Sequence, residues 1–232
     1  MKLIGEMSSG TLIRRYQRFL ADIRLDSGEQ ITAHCPNSGS MRSCNTPGSQ
    51  VMLSFHPNPK RKYQYTWEMI RIGSTWVGIN TMLPNKVVAD AIKLGKIPEL
   101  VGFHKILTEQ KIGNSRLDLV LEADYESCYI EIKNVTLVQN RVAMFPDSPT
   151  KRGVKHLNEL IRLKRAGKEA VIFFLIQRSD CEYFAPADHI DPEYEQVLRE
   201  ANVAGVKILP YQARVSPEEI SIHRRLDSIL KQ

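Results

Sequence analysis

Arg116-Leu117-Asp118-Leu119-Val120-Leu121 and, after a turn at Asp124–Ser127, Tyr129-Ile130-Glu131-Ile132-Lys133 decide how this chain is read. Both stretches alternate apolar and polar residues, the period of a β-strand with one face in a core. Leu117, Leu119 and Leu121 point one way, Arg116 and Asp118 the other. Ile130 and Ile132 point one way, Glu131 and Lys133 the other. If the strands pair through the turn, the apolar sets share a face, and Asp118, Glu131 and Lys133 are expected together on the opposite one. Hard divalent cations such as Mg²⁺ are held by one or two carboxylates, with water and substrate phosphate completing the shell. A lysine beside them can stabilise negative charge in a transition state. A solvated hairpin face of mixed charge is the competing reading of the same spacing.

The flanking sequence encloses this hairpin. Val87, Val88, Ala91, Ile92 and Leu94 recur at helical spacing over Asn85–Leu94, and Gly95 and Pro98 end that helix. Lys105–Ile112 reads as a strand ahead of Arg116–Glu122 and Cys128–Val135. A helix follows over Thr150–Ala166, with Val154, Leu157, Leu160 and Ile161 on one face and Gly167 at its stop. Ala170–Gln177 is a continuous apolar run, the pattern of a strand buried on both sides. Glu193–Ala204 reads as a helix ending at Gly205, and Val206–Leu209 as a last strand. Helices are therefore expected on both faces of the sheet, partly enclosing charges that are costly to enclose unpaired.

Upstream of Pro84 the period is different. Thr11–Leu25 reads as one long strand with Arg14, Arg18 and Arg24 on its charged face. Gln30–Cys35, Gln50–Phe55, Tyr63–Ile72 and Thr75–Asn80 follow as four more. Asp26-Ser27-Gly28, Pro36-Asn37-Ser38-Gly39, Thr46-Pro47-Gly48 and Pro57-Asn58-Pro59 carry turn chemistry between them. Five short strands and no helix suggest a small closed barrel, and the five-stranded barrel that binds oligonucleotides is the OB-fold. The expected division is an OB-like domain over residues 1–82 and an α/β domain over 83–232.

Charge divides at the same place. Residues 1–80 hold ten Lys and Arg against five Asp and Glu, so they carry +5 of the chain's formal +6. A basic small domain beside a near-neutral larger one suggests a polyanion partner for the first. Hydrophobic residues at 42% and charged residues at 25% are those of an ordinary globular protein. No apolar run reaches the roughly 18 residues of a membrane span, and Met1-Lys2-Leu3-Ile4-Gly5-Glu6 lacks the apolar stretch of a signal peptide. The cytoplasm is the expected location, with no membrane partner. Cys35, Cys44, Cys128 and Cys181 include no C-x-x-C pair, so neither a zinc site nor an organic cofactor is expected.

Six stretches carry a resemblance. They are His34-Cys35-Pro36-Asn37-Ser38-Gly39-Ser40-Met41, Lys60-Arg61-Lys62-Tyr63, Arg116-Leu117-Asp118, Tyr129-Ile130-Glu131-Ile132-Lys133-Asn134-Val135-Thr136-Leu137, Phe145-Pro146-Asp147 and Arg152-Gly153-Val154-Lys155-His156-Leu157. Together they make the chain resemble the sugar fermentation stimulation protein A family over essentially its whole length. The resemblance implies an OB-like barrel followed by a PD-(D/E)XK nuclease-like mixed α/β domain, DNA binding, and, in bacteria, regulation of sugar (maltose) utilisation genes. It sets the nuclease pattern on Asp118, Glu131 and Lys133, with Leu117 where the pattern has proline. It further implies Mg²⁺ or Mn²⁺ held by Asp118, Glu131 and the carbonyl oxygen of Ile132, and an additional acid, for which Glu109 and Glu99 are the candidates.

The nucleic-acid contacts expected on the barrel are Arg14, Arg18, Lys60, Arg61 and Lys62. Tyr16, Phe19, Tyr63, Tyr65 and Trp67 are interleaved with them as stacking platforms or core. Lys151, Arg152, Lys155 and His156 are expected to grip phosphate beside the carboxylates, with a core role as the alternative for His156. Three functions fit: a metal-dependent nuclease binding DNA with little sequence preference, a non-catalytic DNA-binding regulator on a nuclease scaffold, or an RNA-binding OB protein. The intact acid-acid-lysine set favours the first, and the resemblance favours DNA. The sequence leaves the oligomeric state open.

Overall fold

Alternation punctuated by turns builds the first domain. The computed structural model, which describes residues 1–2, 5–113 and 115–230, places six strands there. They are β1 (Glu6–Tyr16), β2 (Leu20–Leu25), β3 (Gln30–His34), β4 (Gln50–Phe55), β5 (Tyr65–Ile72) and β6 (Thr75–Gly78). Leu3 and Ile4 of the leading segment lie outside the described residues. The sheet runs β3-β2-β1-β4-β5-β6, and a bridge between His34 and Thr66 closes β1, β2, β3, β5 and β4 into a five-stranded barrel with β6 appended. The strand expected over Thr11–Leu25 is in fact a hairpin. Tyr16 pairs with Leu20 across a loop in which Gln17 and Arg18 have φ of 49° and 63°. Leu12, Ile23, Val51, Leu53, Trp67 and Ile70 fill the barrel. Trp67 is thus core, whereas Tyr16 and Tyr63 lie against Arg14 and Lys62.

The second domain begins with α1 (Pro84–Lys93) and a single 3-10 turn at Pro98–Leu100. Its remaining elements are β7 (Lys105–Ile112), β8 (Ser115–Glu122), β9 (Ser127–Val135), β10 (Leu137–Gln139), β11 (Val142–Phe145), α2 (Lys151–Arg165), β12 (Glu169–Ile176), β13 (Tyr183–Pro186), α3 (Pro192–Val203), β14 (Lys207–Val215), β15 (Ile220–Arg225) and β16 (Asp227–Ser228). The main sheet runs β15-β14-β12-β9-β8-β7, parallel at β14-β12-β9 and antiparallel at both edges. β12 lies inside it and is buried along nearly its whole length, as its apolar run predicts. α2 and α3 cover one face and α1 the other. β14 extends well past the expected Val206–Leu209, and β15 and the small sheet β10-β11-β13-β16 were not expected from the sequence pattern. No helix among the described residues is long and apolar enough to cross a membrane.

The domains meet through backbone. The Gly78 N–H donates to the Gln177 carbonyl at 2.9 Å, and a Cβ on Gly78 would lie 2.4 Å from Gln177 Oε1. Arg178, 3% exposed, donates from Nη1 to Ser43 Oγ at 3.0 Å and to the Thr136 carbonyl at 2.6 Å, while Asp180 neutralises it.

Candidate active site

The β8–β9 ladder runs from Glu122↔Ser127 to Leu119↔Ile130 and stops. Beyond it the strands part, and the Asp118 carboxylate occupies the opening. Its Oδ2 accepts the Ile132 N–H at 2.7 Å, and its Oδ1 accepts Asn85 Nδ2 from the first turn of α1 at 2.9 Å. The parting also breaks the alternation. Leu119, Leu121, Ile130 and Ile132 pack beneath α1, whereas Leu117 packs with the cluster beneath α2 and α3. The expectation that Leu117, Leu119 and Leu121 share one face is therefore corrected. Asp118 reaches Glu131 from the gap between strands rather than as a neighbour on one face.

Glu131 is 3% exposed on the α2 side of β9. Its Oε1 accepts Lys133 Nζ at 2.6 Å and a short hydrogen bond from His156 Nδ1, on α2. Arg152 Nε lies 3.5 Å from His156 Nε2. The Glu131 carboxylate on one side and the Arg152 guanidinium on the other hold the imidazole in its orientation. Glu131 Oε2 is equally buried and has no hydrogen-bond partner. Burial disfavours the Glu131 charge, but the His156 hydrogen bond and the Lys133 ammonium outweigh it and hold the group below the usual range. Asp118 moves the other way. Burial and then the Glu131 charge push it up, against the Ile132 N–H, Asn85 and Lys133.

A cleft of about 510 Å³ opens over these groups, with Asp118, Glu131, Ile132 and Lys133 in its wall. Of the two candidate extra acids, Glu109 lines it, 3.3 Å from Asn85 Nδ2. Glu99 does not; it accepts from Tyr211 Oη at 2.6 Å and from Arg225 at 2.7 Å. Arg152 lines the cleft, while Lys151 and Lys155 are exposed elsewhere on the first turns of α2. His156, expected to meet phosphate, is 4% exposed and sits behind Glu131, so it positions the carboxylate instead. On the barrel, Arg14 is paired with Asp22 at 2.8 Å and Arg61 is tied to Thr66 at 2.8 Å, whereas Arg18, Lys60 and Lys62 are exposed.

Sequence reasoning missed Asn85 and Asp147. Asn85 is legible only as the residue after the proline that starts α1. Asp147 also lines the cleft and accepts the Met41 N–H at 3.1 Å. A Cβ on Gly39 would lie 2.6 Å from Asp147 Oδ2, so glycine lets the barrel loop close on the cleft.

Among the described residues no group of three or more His, Cys, Asp or Glu converges as a metal site. The donors present are still those of a hard cation. They are two carboxylates, one bearing a buried oxygen without a partner and the other pushed up by burial and then by its neighbour's charge. Mg²⁺ typically uses one or two carboxylates and keeps several waters.

Residues 82–219 match the sugar fermentation stimulation protein RE domain, and residues 13–79 match the SfsA N-terminal OB domain. The sugar fermentation stimulation protein homolog of Geobacter sulfurreducens is 55% identical over 227 residues, 97% of each chain. That of Geobacter metallireducens is 52% identical over 232 residues, 99% of this chain and 100% of the relative. The solved structure of Pyrococcus furiosus SfsA in complex with Ca²⁺ superposes with a TM-score of 0.88 at 30% identity, covering 99% of both chains. With an OB barrel followed by a mixed α/β domain that matches the RE domain model, the chain belongs to the sugar fermentation stimulation protein family.

Proposed function

We propose that this chain binds DNA with little sequence preference and cleaves phosphodiester bonds in the cleft with the help of Mg²⁺ or Mn²⁺. The observation that carries this reading is Glu131, buried beside Asp118, with Lys133 on one oxygen and the other oxygen bare. Asp118, Glu131 and the Ile132 carbonyl would hold the cation, which polarises a phosphodiester and lowers the pKa of water. The Ca²⁺ complex of the Pyrococcus furiosus relative supports a hard-cation site in the family.

The chain's own residues have separable tasks. Asn85 and the Ile132 N–H fix the Asp118 carboxylate. His156 and Lys133 hold Glu131 by one oxygen and leave the other for the cation. The Lys133 ammonium can also stabilise charge developing on the phosphate oxygens. Arg152, at the start of α2, is placed to grip a flanking phosphate. Arg18, Lys60 and Lys62 would neutralise backbone farther along. The four cysteines are buried free thiols, which suits a reducing cytoplasm.

Calorimetry with Mn²⁺ and cleavage assays on single- and double-stranded DNA test this. Asp118→Asn and Glu131→Gln should each weaken Mn²⁺ binding by at least about tenfold, roughly 1.4 kcal/mol. Lys133→Ala should bind the cation at least as well, yet lose cleavage by about a hundredfold or more. EDTA should stop the wild type. A wild type that binds Mn²⁺ but cuts neither substrate would leave the nuclease fold as the scaffold of a DNA-binding regulator. A protein that binds no divalent cation would reduce the site to a charged cleft.

A further inference from the structure

A second cavity, of about 330 Å³, opens where the barrel faces the start of α1. That is at the small end of the roughly 300–1,000 Å³ range of small-molecule sites. Its polar wall is built on β4 and β5. Glu68, 6% exposed, accepts Ser54 Oγ at 2.6 Å on one oxygen and Asn80 Nδ2 at 2.7 Å on the other. Ser54 Oγ also lies 2.8 Å from His56 Nε2. One hydroxyl carries one proton, so with that proton directed at Glu68 the Ser54 oxygen accepts from His56 Nε2. No Lys, Arg or His among the described residues forms an ion pair with Glu68. A desolvated carboxylate without a cation is costly, and replacing it by an apolar residue would remove that cost. Its oxygens keep unused lone pairs, and they border a cavity.

The remaining walls suit a flat, partly polar guest. His34 borders the cavity, and burial and then the Arg61 charge hold it below the usual imidazole range, so its ring is neutral at pH 7. Arg61 and Lys86 give the cavity a cationic border. Met82 is 77% exposed and lines both this cavity and the carboxylate cleft. Exposed apolar side chains in such positions act as wedges between stacked bases in other nucleic-acid complexes.

We propose that this cavity takes one nucleobase, read through its N–H donors by Glu68 and lying against His34, with Met82 separating it from the nucleotide whose phosphate enters the cleft. The proposal rests on the nucleic-acid reading above and adds to it a site for an unstacked base. Bases carrying adjacent N–H donors, guanine above all, fit a carboxylate best. The same chemistry is presented by a base in a strand and by a free nucleotide such as GMP.

The test uses the whole chain in EDTA, with two probes: GMP and a short guanine-containing single-stranded oligonucleotide, intact or with that guanine abasic. The readouts are affinity and the ring resonances of His34 and His56. If the base comes from a strand, the intact oligonucleotide should shift both histidines. Removing the guanine base or making Glu68→Gln should each weaken binding about tenfold, and the two losses should not add. Met82→Ala, on an exposed side chain, should weaken strand binding and spare GMP. If the guest is a free nucleotide, GMP alone should shift the histidines and Glu68→Gln should weaken it about tenfold. That outcome, with no oligonucleotide bound, would keep the pocket and overturn the nucleic-acid reading. An oligonucleotide that binds with both histidines unmoved and with equal affinity for Glu68→Gln would overturn the pocket and keep that reading. The histidine readout on wild type decides the matter even if Glu68→Gln fails to fold.

Discussion

Asp118 and Glu131 are both buried carboxylates, yet the fold treats their charges oppositely. Asp118 is raised by burial and by Glu131, so folding favours its protonated form. That contribution is present below the unfolded value and is lost as pH rises through the higher folded value. Glu131 is held low by His156 and Lys133, so its contribution is present above the unfolded value and is lost as pH falls through the folded one. Thermal melts without divalent cations should therefore give opposite results for equal charge changes. At pH 7 Asp118→Asn should raise Tm, with the Asn85 amide turning to accept, and the gain should fade below about pH 4, where Asp protonates unaided. Glu131→Gln should lower stability at pH 7 by roughly 1.5–3 kcal/mol, the worth of hydrogen bonds to a charged group. At one Mn²⁺ concentration, adding the cation should stabilise wild type more than either carboxylate variant. Spacing alone made Glu131 and Lys133 legible, since they are two apart on one strand. It could not show how Asp118 reaches them, because Leu117, Leu119 and Leu121 alternate without a break while the ladder beside them ends.

The hairpins show why some elements were legible and others were not. β4 and β7 were readable to the residue because alternation is flanked by recognisable turns. The β1–β2 hairpin was not, because Gln17-Arg18-Phe19 contains none of the Gly, Asn or Pro that usually marks a reversal. β10–β11 turns on Asn140 and Arg141, with φ of 49° and 63°. Left-handed φ at both central residues is the I′ turn, where glycine is favoured second. An L side chain there costs about 1–2 kcal/mol, and the exposed ion pair of Arg141 with Glu182 is worth less. Arg141→Gly should accordingly raise Tm by a few degrees, about 2–4 °C per kcal/mol in a chain of this size. An unchanged or lower Tm would show that the Glu182 pair outweighs the backbone strain. β13 and β16 offered no period at all, being too short to show one.

At the scale of the molecule, the barrel's cations are not equally free to meet phosphate, since Asp22 pairs with Arg14 and Thr66 ties the Arg61 side chain, whereas Lys60 and Lys62 are exposed. Lys60→Ala with Lys62→Ala should lower the slope of log K for DNA against log salt by about two, one per phosphate contact, and weaken all sequences alike. A slope that does not move would shift the polyanion site off the barrel. Charge partition pointed to two parts in the sequence, but it could not show the contact between barrel and sheet, which is made where side chains are missing. Gly78 stands with its backbone on Gln177 and leaves no room for a methyl group. For inheritance, this couples two positions far apart in the chain. A barrel recombined from another lineage can seat on this sheet only if it arrives with glycine at 78, or meets a shorter residue at 177. Crosses between relatives that split this pair should yield misassembled protein even when both halves are sound.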